Sequence, residues 1–82
     1  MPWTVRLVFD HYPATDAEYY GILNALHVRE AFTGADEKGR LTVWLVVQAG
    51  DIREAADKAL ADLIGRADLP RVVALSVWPD WE

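Results

Sequence analysis

The run RLTVWLVVQ, Arg40 to Gln48, is followed after Ala49 and Gly50 by DIREAADKAL, and between the two the hydrophobic period changes from two to 3.6. In the first run Leu41, Val43, Leu45 and Val47 alternate with Thr42, Trp44, Val46 and Gln48, the strongest strand pattern in the chain. In the second, Asp51 stands as an N-cap with Glu54 three residues on, and Ile52, Ala55, Ala56, Ala59, Leu60 and Leu63 share one helical face. Glu54 with Lys58 and Asp62 with Arg66 form acid-first i,i+4 pairs, and Gly65 is placed to end the helix.

The first half repeats this grammar. Trp3, Val5, Leu7 and Phe9 alternate with Thr4, Arg6, Val8 and Asp10, predicting a strand over 3–10. HYPATDAE then stops the strand at Pro13 and starts a helix, with Thr15 as N-cap and Glu18 completing a capping box. Tyr19, Ile22, Leu23 and Leu26 give that helix an apolar stripe. HVREAFTG, His27 to Gly34, alternates weakly, ADEKG has hairpin-loop composition, and RVVALSVW, Arg71 to Trp78, is the last strand.

The order βαββαβ, with right-handed crossovers in both halves, predicts an α+β ferredoxin-like two-layer sandwich filling residues 1–82 as one domain. Its four-stranded antiparallel sheet is ordered 4-1-3-2, and both helices cover one face. The other face has no helix above it.

With 82 residues and 9.2 kDa, the chain buries roughly 60–65% of its unfolded surface, so added burial against a partner would stabilise it. It has no Cys, which excludes a disulfide framework and a thiol nucleophile. A net charge of −5 opposes binding to phosphate backbones, so no nucleic-acid partner is expected. No apolar run reaches the roughly 18–20 residues of a membrane span, and a cytoplasmic location is expected.

The strand periods assign Val5, Leu7, Phe9, Leu41, Val43, Leu45, Val47, Val73, Leu75 and Val77 to the helix-covered face. On the uncovered face they leave Thr4, Arg6 and Val8, then Thr42, Trp44, Val46 and Gln48, then Val72, Ala74, Ser76 and Trp78. Among these, Arg6, Val8, Trp44, Val46, Ala74 and Trp78 are the candidate protein-interaction residues, because an apolar centre on a wet face is unusual. A homodimer or another protein partner is the expected occupant; the alternative is a wet face with Arg6 lying over Trp44. In the tail SVWPDWE, Trp81 is read as a plug closing the core and Trp78 as part of the face.

Catalytic chemistry has little support. The topology puts His11 and His27 at opposite ends of the sheet, so they share no metal, and Asp10 and His11 are expected on opposite faces. Ser76 is the only serine and has no expected His neighbour, and no Gly-rich phosphate loop follows either strand–helix junction. No catalytic, metal or cofactor-binding residue is therefore assigned. GRLTVWLVVQAGDIREAADKAL followed by LPRVVALSVW resembles small actinobacterial and actinophage proteins over about the second half of the chain. That resemblance implies a small accessory protein and carries no known active site; small size and acidity are the arguments for a phage or prophage factor that binds and modifies a host protein. The alternative class is a small-molecule-binding or enzymatic protein similar to dimeric α+β barrels, with Asp10, His11, Tyr12 or Trp44 near a cavity mouth.

Overall fold

The computed structural model describes residues 1–26, 31–61, 63 and 69–80. Along the chain these form β1 (Pro2–Phe9), α1 (Asp16–Ala25), β2 (Ala31–Ala35), β3 (Leu41–Gln48), α2 (Ile52–Leu60) and β4 (Val72–Pro79). The strands make one antiparallel sheet in the order β2-β3-β1-β4, the expected order read from the opposite edge. The readings of His27, the Asp62 and Arg66 pair, Gly65 and Trp81 lie outside the described residues.

Both helices start as their sequences dictate. Thr15 Oγ1 accepts from Glu18 N at 3.3 Å, and Asp51 Oδ1 accepts from Glu54 N at 2.8 Å. Each glutamate reaches back one residue beyond the cap, Glu18 to Ala14 N at 3.1 Å and Glu54 to Gly50 N at 3.2 Å. In each helix one cap oxygen thus meets an orphan first-turn amide, and one glutamate meets the amide just before the cap. Lys58 ties α2 to the sheet through Gln48 O at 2.6 Å and meets Glu54 at 3.1 Å, the expected i,i+4 pair.

The core is one apolar layer. Val5, Leu7 and Phe9 of β1 and Leu41, Val43 and Leu45 of β3 pack with Ile22 and Leu26 from the α1 end and Ala55 and Ala59 of α2. Both helices therefore cover the same sheet face. The small alanines of α2 let it lie close to the sheet, while Tyr19 on α1 reaches β2 by a 2.6 Å hydrogen bond to Thr33 Oγ1.

In β4 the alternation reverses at one end. Val8 faces Ala74 but Phe9 faces Val72, so Val73 is an extra residue in the ladder. This bulge puts Val72 against the core and leaves Val73 50% exposed, opposite to the faces read from the period alone. One inserted residue flips the parity of everything before it. Beyond the bulge Leu75 and Val77 keep their expected face, opposite Leu7 and Val5.

The hairpin between β2 and β3 is held by Asp36. Its Oδ1 accepts from Lys38 N at 3.0 Å and Arg40 N at 2.8 Å, and its Oδ2 accepts from Arg40 Nε at 2.8 Å. Gly39 takes φ +76° there, a left-handed conformation that a β-carbon would strain. Asp36 N also donates to Arg40 O at 2.9 Å, closing the loop and fixing the register of the two strands.

Candidate interaction surface

Registers on three strand pairs define the uncovered face as cross-strand rows. The central row runs Phe32, Trp44, Arg6, Ser76; beside it lie Gly34, Thr42, Val8, Ala74 on one side and Val46, Thr4, Trp78 on the other. Thus Arg6, Val8, Trp44, Val46, Ala74 and Trp78 all fall on the face that the sequence assigns them. The rows also bring in Phe32, which the sequence reading left out.

Phe32 is the most exposed large apolar residue of the face, at 79%, against 44% for Val46 and 40% for Trp78. Trp44 is half-buried. A β-carbon added at Gly34 would come within 3.4 Å of Trp44 Cζ3, so the indole lies down over Gly34, which has no side chain to lift it. From the other side Arg6 places its guanidinium carbon 5.9 Å from the indole centroid. This is the cation-over-ring arrangement expected of a wet face, and it flattens Trp44 rather than removing the apolar surface.

Val8 needs correction. It is on the open-face register but only 3% exposed, and its row neighbour Thr42 is fully buried. Both sit on central strands, flanked by Arg6 and by the Asp36 to Arg40 hairpin that closes this end of the sheet. Val8 therefore contributes support and almost no surface. Arg6 Nε and Thr42 Oγ1, the buried side-chain polar atoms without a hydrogen-bond partner among the described residues, both belong to this face.

Two hollows divide the surface. One, of about 360 Å³, is bounded by Thr4, Phe32, Trp44, Leu45, Val46 and Asp80, and is almost wholly apolar. Asp80 is fixed at its rim, accepting from Thr4 Oγ1 at 2.7 Å while its own N–H donates to Pro2 O at 3.2 Å. The other, of about 430 Å³, lies between Arg6, Val8, Ala74 and the charged hairpin residues Asp36, Glu37 and Arg40. Desolvation of the Asp36 carboxyl acts to raise its pKa, but the hydrogen bonds from Arg40 and Lys38 and the Arg40 charge outweigh it, and the pKa is lowered. Asp36 and Arg40 thus form a charged pair that neutralises itself.

Just past the C-terminal end of β1, Asp10 and His11 meet, with His11 Nδ1 2.7 Å from Asp10 Oδ1. Opposite-face placement was expected; β1 ends at Phe9, so alternation no longer separates them. The pair is exposed. Tyr12 stacks on Tyr19 nearby at 6.4 Å, and Tyr20 meets Tyr19 edge-on at 5.5 Å. Ser76 lies in the central row of the open face, opposite Arg6, and does not complete a triad with this histidine.

Among the described residues, no three His, Asp or Glu side chains converge as a metal site, and no helix is long and apolar enough to cross a membrane. Comparison with protein-family models, curated proteins and solved structures finds no match to this chain.

Proposed function

We propose that this chain is a small non-enzymatic protein-interaction module of ferredoxin-like layout, which associates through its uncovered sheet face. The observation that carries the reading is the row Phe32, Trp44, Arg6, in which a nearly fully exposed phenyl ring stands beside a flattened indole on a face without helices. A ring exposed singly would need no explanation. Here Phe32 and Val46 border an apolar hollow and Trp78 projects from the same face, which is the composition of an interface centre rather than of a solvated sheet.

The test is site-directed photocrosslinking. A benzophenone amino acid placed at Phe32 should give discrete crosslinked products, whereas the same group at Arg53, exposed on α2, should give none. Products from Arg53 with none from Phe32 would transfer the binding function to the helical layer and end this reading.

A further inference from the structure

We infer that the occupant of the open face is a second copy of this chain, packed face to face about a two-fold axis; this rests on reading that face as the association surface. Charge is the first argument. The chain carries −5 overall, yet the described strand positions of this face bear one ionisable side chain, Arg6. Asp80 balances it at one margin, and at the other the hairpin charges Asp36, Glu37, Lys38 and Arg40 sum to zero. Acidic residues are concentrated instead on the helical layer, where Asp16, Glu18, Asp51, Glu54 and Asp57 lie in or cap α1 and α2.

A basic partner would be drawn to those helices and not to a neutral sheet. Two copies joined by their sheets keep their helical layers outermost. With stacked sheets about 10 Å apart, those layers are separated by more than the Debye length of about 8–10 Å, so the like charges are screened.

Shape is the second argument. A two-fold interface must be complementary to itself, so each projection needs a recess on the same patch. Phe32 projects beside the hollow of about 360 Å³ bounded by Thr4, Trp44 and Val46, which is large enough to receive the partner copy's phenyl ring.

Area is the third. Strands about 4.8 Å apart and eight residues of about 3.3 Å each outline roughly 450–500 Å² in projection. Twice that outline, roughly 900–1,000 Å² in total, is the size of a weak, micromolar association rather than of a permanent one.

The deciding experiment is sedimentation equilibrium over roughly 1–500 µM, the range in which a micromolar dimer dissociates. It compares the wild type with Phe32→Asp, Val46→Asp and Ile52→Lys, all at exposed positions, with circular dichroism confirming the fold of each. The expected result is a species of twice the 9.2 kDa chain mass, undiminished in 1 M NaCl. Phe32→Asp and Val46→Asp should each weaken it at least about a hundredfold, because every dimer carries the lesion twice. Ile52→Lys, exposed on α2 and away from the sheet face, should leave it unchanged. A monomer throughout overturns the second-copy assignment while leaving the open-face reading to the Phe32 crosslinks. A dimer indifferent to Phe32→Asp and Val46→Asp but dissolved by Ile52→Lys overturns both, since association would then run through the helical layer.

Discussion

At the scale of single residues, the face is shaped by side chains that hold one another down. Gly34 gives the Trp44 indole room to lie flat, and Arg6 covers its other side. Asp36 does the equivalent for the backbone, gathering three N–H donors from Lys38 and Arg40 onto one carboxylate. Because its folded pKa is below the unfolded one, Asp36 contributes stability that is present above the usual carboxylate range of about 4 and is lost as pH falls through the folded value. Glu54, lowered chiefly by its hydrogen bond from Lys58 and next by that from Gly50 N, acts in the same direction. Asp36→Asn should therefore flatten the fall in urea midpoint between about pH 5 and 2, and lower the midpoint at pH 7. An unchanged acid slope would mean that the carboxylate is not tied to the hairpin in solution.

At the scale of elements, the two helices differ in how they are held. α2 has a carboxylate cap, a glutamate returning to the preceding amide, and a lysine fixed to the sheet, all within nine residues. Asp51→Ala removes the cap acceptor and should cost about 1 kcal/mol in chemical denaturation, with most of that loss recovered by Asp51→Ser. These starts were legible because a capping box is local chemistry: donor and acceptor are three residues apart in the chain. The strand order was legible for a similar reason, since the alternation of elements leaves few topologies that avoid left-handed crossovers.

The bulge in β4 was not legible. RVVALSVW has no glycine or other mark where Val73 is inserted, and the insertion is decided by pairing with β1, which is distant in sequence. Phe32 is an intermediate case. HVREAFTG alternates too weakly to show a face by itself, yet ADEKG fixes the register of β2 on β3 by closing Asp36 onto Arg40. Counting back four residues on each side from that closure places Phe32 opposite Trp44. The signal was in the turn rather than in the strand, and Val8 shows the converse: period gives a residue its face but not its exposure, which depends on what the neighbouring strands and loop carry.

At the scale of the whole molecule, a chain of 82 residues with one sheet face uncovered has less buried area per residue than a larger domain, so a second copy on that face would couple stability to association. If the folded form is a two-fold dimer and the unfolded form a monomer, mass action makes the melting temperature depend on protein concentration. A tenfold dilution removes about 1.4 kcal/mol per dimer, or about 0.7 kcal/mol per chain, which for a domain of this size corresponds to roughly 3–5 °C. Calorimetric melts at a series of concentrations above the dissociation constant should therefore rise by that amount per decade. For Phe32→Asp they should coincide at every concentration, at the midpoint that the wild type approaches on dilution. Phe32 has almost no contact area to lose within its own chain, so any stability it supplies must come from outside the chain. A wild-type midpoint independent of concentration, equal to that of Phe32→Asp, would show that the core of Val5, Leu7, Phe9, Leu41 and Val43 sustains the fold without a second copy.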